Sequence, residues 1–205
     1  MNNSGATVFI IDDDPAIREA LSLMLEQENM AVSVFDSADA FLQSNLPAGK
    51  GCAIIDIRMP GINGMELQQI LLERNISLPV IFLTGHGSIP MSVQAMKAGA
   101  VDFITKPVTR EKLITAINAA IVTSEITIAS NAHIEESASR LAALTERERD
   151  VMLLAVQGHT NKVIARELGI SHRTVEIHKS KIMHKTGAIN LLDLARIAQE
   201  AQMTT

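Results

Sequence analysis

Six side chains in the first 106 residues are of types that bind metal and handle phosphoryl groups. Asp12, Asp13 and Asp14 follow one short apolar run, and Asp56 lies at the end of another. Thr84 ends a third, and Lys106 follows a fourth. Taken singly, an Asp in such a place is a helix cap or a solvated loop residue, and Asp14, directly before Pro15, fits a cap. Taken together they are harder to dismiss. Carboxylates gathered in one place repel one another unless a cation neutralises them. A set of hard oxygen donors suits Mg²⁺. An Asp held against that ion can accept a phosphoryl group, because the metal offsets charge on the group in transfer. A Lys ammonium and a Thr hydroxyl can then hold its oxygens.

That chemistry requires an architecture that brings Asp12, Asp13, Asp56, Thr84 and Lys106 together. Five short apolar runs read as buried strands: Val8–Ile11, Ala31–Phe35, Ala53–Ile57, Pro79–Leu83 and Val101–Ile104. Between them lie stretches of helical period, such as Ile17, Leu21, Met24 and Leu25, then Leu67, Ile70 and Leu71, then Leu113, Ile117 and Ile121. Strict alternation of strand and helix over residues 1–122 predicts a five-stranded parallel sheet with helices on both faces, an α/β doubly wound fold. Such folds bind ligands beyond the carboxyl ends of their strands. On this reading the third strand contains Asp56, and the other four residues follow or end strands along the same edge.

Residues 123–143 are rich in Ala, Ser, Glu and Ile and hold no Gly or Pro. They read as a linker with helical character. Residues 144–205 read as a smaller all-α domain of four helices. Thr145-x-x-Glu148 is a capping box that opens the first. The second runs from about Asn161 to Leu168 and stops at Gly169. The third follows Ser171 and runs to about Lys185, and the fourth covers roughly Leu191 to Gln202. Ala165, Gly169 four residues later and Val175 six after that have the spacing of a helix-turn-helix: a small residue where helices cross, a tight turn, and a residue that packs back. On a wheel of about 100° per residue, Val175, His178, Ile182 and Thr186 face inward. Arg173, Ile177, Ser180 and His184 centre the outer face, with Glu176 and Lys181 beside them and Lys179 near its margin. Glu176 suits cytosine N4 and Ile177 a thymine methyl. Arg173, Lys179 and Lys181 suit phosphates, which supply affinity rather than sequence choice.

Composition narrows the field. Five Phe and no Trp or Tyr argue against a stacking surface for single-stranded nucleic acid. One Cys excludes an internal disulfide or a multi-thiolate metal site and fits a reducing compartment. No unbroken run of 18 apolar residues is present, so no membrane-spanning helix is expected. Met1 to Thr7 lack the parts of a signal peptide, so a soluble cytoplasmic protein is expected. The net charge of −5 divides into −5 over residues 1–122, −2 over 123–143 and +2 over 144–205. An acidic front and a basic back point to two parts with different partners.

The segments Val8–Asp14, Asp56–Gly61, Thr84–Gly87 and Lys106-Pro107 resemble the receiver domain of two-component response regulators, a flavodoxin-like fold, and Thr84–Pro107 is especially similar to its FixJ branch. Leu144-Thr145-x-Arg147-Glu148-x-x-Val151, Asn161-Lys162-x-Ile164-Ala165 and Thr174-Val175-x-x-His178 resemble the LuxR/NarL four-helix DNA-binding domain. The resemblance spans essentially the whole chain. It implies that Asp56 is the phosphoacceptor and that Asp12, Asp13, Asp56 and the backbone carbonyl of Arg58 bind Mg²⁺. It also implies that Lys106 and Thr84 contact the phosphoryl oxygens and that Phe103 is the aromatic switch. Arg58, Gly85 and His86 flank the site. The resemblance further implies a sensor histidine kinase as donor and double-stranded DNA as target, with base reading at Glu176, Ile177 and Ser180. Phosphorylation-dependent homodimerisation is expected through the face built by Pro90–Ala98, the strand after it and Arg110–Val122, with Lys97 and Asp102 as charged contacts. RNA polymerase is a further expected partner.

Two other readings are weighed. A stand-alone phosphatase with an Asp nucleophile needs a second carboxylate two residues on, where this chain has Arg58. A DNA-binding protein whose front half is only a dimerisation scaffold would not need the full acidic set. The expectation is therefore a phosphorylation-controlled transcription factor rather than an enzyme.

Overall fold

The structure, a computed structural model, describes residues 5–44, 50–85 and 87–202; His86 lies outside the described residues. The apolar runs form β1 (Thr7–Ile11), β2 (Ala31–Phe35), β3 (Gly51–Ile55), β4 (Val80–Thr84) and β5 (Asp102–Thr105). The helices between them are α1 (Pro15–Glu26), α2 (Ala38–Gln43), α3 (Gly64–Glu73), α4 (Ile89–Lys97) and α5 (Arg110–Ala142). All pairings are parallel, in the order β2-β1-β3-β4-β5. The strand order reverses between β1 and β3, so the crevice at their carboxyl ends is the topological switch point of the sheet.

Alternate strand residues point to opposite faces. Val8, Ile10, Ile54, Ile81 and Leu83 pack under α1 and α5, against Leu21, Leu25, Leu113 and Ile117. Phe9, Ile11, Ile55 and Phe82 pack under α2, α3 and α4, against Phe41, Leu67, Leu71 and Ala95. Burial on both faces explains why β3 and β4 are apolar throughout rather than alternating.

Two expectations shift. β3 ends at Ile55, so Asp56 is the first residue past the strand rather than part of it. The last helix of the sheet layer does not stop at Val122 but runs to Ala142. By length and composition α5 is also apolar enough to cross a membrane, with mean hydropathy 1.5 over an 18-residue window, although no unbroken run of 18 apolar residues occurs in it. The apolar face of its first turns is spent elsewhere: Leu113, Ala116, Ile117, Ala120 and Ile121 are buried in the sheet layer's core.

The chain divides into two units, Met1–Ile128 and Ala129–Thr205, and the division falls inside the segment read as a linker. The second unit holds α6 (Glu146–Val156), α7 (Asn161–Leu168), α8 (His172–Thr186) and α9 (Leu191–Gln202). Its core is Leu144, Val151, Met152, Ala155, Ile164, Val175, Ile182, Leu194 and Ile197. Leu141, in the last turn of α5, packs against it. The caps are those the sequence announces. The Thr145 side chain accepts from the Glu148 N–H while Glu148 accepts from the Thr145 N–H, and Ser171 caps α8. Gly169 closes α7 at φ +64°, a left-handed conformation that glycine adopts without strain.

Candidate functional site

The site is assembled by backbone bonds at the sheet edge. The Asp12 N–H donates to the Phe35 carbonyl at 3.2 Å, the Asp56 N–H to the Ile11 carbonyl at 2.9 Å and the Lys106 N–H to the Thr84 carbonyl at 2.8 Å. Each bond pins one functional residue to the end of a neighbouring strand. The Lys106-Pro107 peptide is cis.

The side chains converge. One ligand oxygen from each of Asp12, Asp13 and Asp56 lies within 4.8 Å of the others. Lys106 Nζ lies 2.6 Å from Asp12 Oδ2 and 3.8 Å from Asp56 Oδ2. The Asp12 Oδ1 atom accepts from the Asp14 N–H at 3.0 Å, and Asp56 Oδ1 from the Ile57 N–H at 2.9 Å. The Thr84 hydroxyl hydrogen-bonds the Asp56 carboxylate. Asp12 and Asp56 are buried, whereas Asp13 is exposed at the mouth. Burial pushes the Asp56 carboxyl above its ordinary range; Lys106 pulls it back, and the neighbouring Asp12 charge pushes it further up. One ammonium does not neutralise three carboxylates. Hard oxygen donors in excess of positive charge are the chemistry of a divalent-cation site, so the residues fit Mg²⁺. Arg58 is exposed on the loop two residues beyond Asp56. Asp14 is the N-cap of α1, its side chain accepting from the Ala16 N–H.

Phe103 is half-buried on β5, with its ring centroid 6.4 Å from that of Phe82. A Cβ on Gly87 would lie 2.9 Å from that ring, so the loop after Thr84 passes directly over it.

In the second unit α8 buries Val175, Ile182 and Thr186. Arg173, Glu176, Ile177, Ser180, Lys181 and His184 are all exposed. Ile177 keeps 47% of its surface in water, a cost that an apolar contact outside the unit would remove. Lys179 is engaged within the unit: its ammonium donates to Asn161 Oδ1 on α7 at 2.7 Å. Lys185 is tied down on Glu148 at 2.6 Å, and Glu176 lies 3.5 Å from His172 Nδ1.

Comparison with known proteins settles what these two units are. Residues 8–118 match the response regulator receiver domain, and residues 142–198 match the luxR family of bacterial regulatory proteins. The transcriptional regulatory protein FixJ of Bradyrhizobium diazoefficiens is 40% identical over 196 residues, 96% of each chain. The chain belongs to the response regulators. Another relative, the response regulator protein TodT of Pseudomonas putida F1, is 38% identical over 97% of this chain and 88% of its own. Among solved structures, the response regulator StyR matches with TM-score 0.82 at 37% identity, over 96% of this chain and all of its own. The crystal structure of FixJ-N matches with TM-score 0.52 at 44% identity, over 56% of this chain and 92% of its own. This response regulator thus joins a receiver to a LuxR-type DNA-binding domain, in a family of phosphorylation-dependent transcription regulators rather than enzymes.

Of the residues read from the sequence, Asp12, Asp13, Asp56, Thr84 and Lys106 come together at the receiver's edge. Two others escaped that reading. Gly64 opens α3 so close beneath the acidic loop that a Cβ there would lie 2.4 Å from the Asp56 carbonyl oxygen. The Asn63–Glu66 capping box, a signal present in the sequence, marks the helix start that makes this approach. Arg18 donates from α1 to the Asp12 carbonyl at 2.6 Å. Its spacing from Asp12 carries no recognisable motif.

Proposed function

We propose that this response regulator accepts a phosphoryl group on Asp56 from a sensor histidine kinase and, once modified, pairs with a second copy to bind a two-fold DNA site. The observation that carries the reading is the single carboxylate of Asp56, buried between Lys106 and Thr84 and facing Asp12 and Asp13. Asp12, Asp13, Asp56 and the Arg58 carbonyl would hold Mg²⁺. Bound there, the ion supplies positive charge to the transferring group. An Asp56 oxygen attacks the phosphorus, the bond from phosphorus to the donor imidazole breaks, and Lys106 and Thr84 take the equatorial oxygens. Occupation of Thr84 by the phosphoryl group draws it from its contact with Asp56. Phe103, packed under the Gly87 loop, then turns inward.

The modification is read on the α4–β5–α5 face. Ile89, Val93 and Met96 are exposed there, an apolar surface that pairing would cover, with Lys97 and Asp102 as charged contacts. Pairing doubles the phosphate contacts of a domain whose own charge is only weakly positive. On α8, Glu176, Ile177 and Ser180 read bases, while Arg173, Lys179, Lys181 and His184 line the phosphate side. RNA polymerase is the downstream partner and the cytoplasm the compartment, with no membrane partner.

The test is analytical ultracentrifugation and DNA binding before and after treatment with Mg²⁺ and a small acyl phosphate, with Asp56→Ala as control. Wild type shifting to dimer and binding DNA more tightly, with the variant unmoved, is the expected result. DNA binding that ignores both treatment and variant would reduce the receiver to a scaffold.

A further inference from the structure

Asp12 has no free polar group. Its N–H donates to the Phe35 carbonyl, its Oδ1 accepts from the Asp14 N–H, its Oδ2 meets Lys106, and its carbonyl oxygen accepts from Arg18 at 2.6 Å. Three of these contacts fix the residue at the strand end. The fourth does something different, because the Asp12 carbonyl belongs to the peptide plane that leads into Asp13. That plane is rigid, so rotating it swings the Asp13 Cα and its carboxylate. Among the described contacts the Asp13 side chain makes no hydrogen bond or ion pair of its own, and it stands exposed at the site's mouth. Its place beside Asp12 and Asp56 is therefore set by its backbone alone. Arg18 is half-buried on α1, one turn beyond the Asp14 cap. Its planar guanidinium is well suited to hold a carbonyl in one orientation.

We propose that Arg18 is a positioning residue for the divalent-cation site: by clamping the Asp12–Asp13 peptide it presents the Asp13 carboxylate to the ion. The inference rests on the acidic cluster being a Mg²⁺ site. Its strength is that geometry and charge pull in opposite directions. Arg18 is a cation close to a site for cations, so removing its charge alone would tighten Mg²⁺ binding. Removing a clamp weakens it.

The experiment is isothermal titration calorimetry of Mg²⁺ into the full chain without any phosphodonor, for wild type, Asp13→Asn, Arg18→Met and Arg18→Lys. Thermal unfolding in metal-free buffer verifies each fold. Met keeps most of the apolar stem and removes the donor, so packing loss does not obscure the result. Arg18→Met is expected to weaken Mg²⁺ roughly tenfold, the low end for outer partners of a metal site. Arg18→Lys, which retains a donor, should recover part of that loss. An unchanged or tighter affinity in Arg18→Met overturns the proposal while leaving the metal site intact. If wild type binds no Mg²⁺, or Asp13→Asn binds as wild type does, the metal site as described fails, and the role of Arg18 fails with it.

Discussion

Asp56 is the residue on which the account turns, and its environment opposes its charge. Burial and Asp12 disfavour the carboxylate, while Lys106, Thr84 and the Ile57 N–H favour it, and the balance leaves its carboxyl raised. A raised acid binds its proton more tightly in the folded chain, so it lowers stability above its folded pKa. That penalty disappears as pH falls below the unfolded value of about 3.9. In metal-free buffer Asp56→Asn should therefore melt higher than wild type at pH 7, with the gap closing as the solution is acidified. A gap independent of pH would contradict this. Gly64 gives a second prediction. Gly64→Ala forces a Cβ against backbone 2.4 Å away, so denaturant unfolding should show a loss of about 1–3 kcal/mol, together with slower labelling of Asp56. At this scale the sequence exposed the chemistry and hid the supports. Asp12, Asp13, Asp56, Thr84 and Lys106 declare themselves by type at strand ends. Arg18 meets the Asp12 carbonyl and Gly64 lies against the backbone of Asp56 and Ile57, contacts that no pattern of residue types records.

Elements were legible where local signals and burial agreed. β1 to β4 are short and mostly apolar, and a helical stretch separates each strand from the next. α7 and α8 carry their own caps, and the wheel of α8 separated buried Val175 and Ile182 from exposed Ile177 and Lys181. Lys179 shows the limit of a wheel: it assigned a margin position, but not the bond to Asn161 on another helix. The start of α6 carries more than a cap. Glu148 is buried, closes the capping box on Thr145 and holds Lys185 of α8 at 2.6 Å. Lys185 and the Thr145 N–H lower its carboxyl to about 2. A depressed acid stabilises the fold above its unfolded pKa, about 4.3 for Glu, and loses that contribution as pH falls through about 2. Glu148→Ala should cost the DNA-binding unit on the order of 2 kcal/mol at pH 7. Most of that difference should vanish in melts near pH 2, and a cost that stays constant across this range would show that packing, not charge, is responsible.

For the whole molecule, the least legible feature was where one unit stops and the next begins. Residues 123–143 lack any helix breaker, which made helix readable, but their Ala-Ser-Glu composition concealed their use. Ser124 is buried and accepts from the Gly51 N–H in the receiver. In the second unit, Ser137 donates to Glu200 on α9, and Arg140 reaches the Thr186 carbonyl at the end of α8. A fragment beginning at Leu144 discards both contacts and the apolar packing of Leu141. It should melt several degrees below one beginning at Ala129, since about 1 kcal/mol moves the melting point of a 60–100-residue domain by roughly 4–8 °C. Equal melting points would place the boundary at the start of α6 after all. All of this architecture serves one claim, that a single carboxylate is modified and the rest of the chain responds. Intact mass after incubation with Mg²⁺ and a small acyl phosphate, beside Asp56→Ala, tests it most directly. Wild type should gain one phosphoryl group and the variant none. A folded wild type that gains none, or an Asp56→Ala chain that still gains one, would contradict the account.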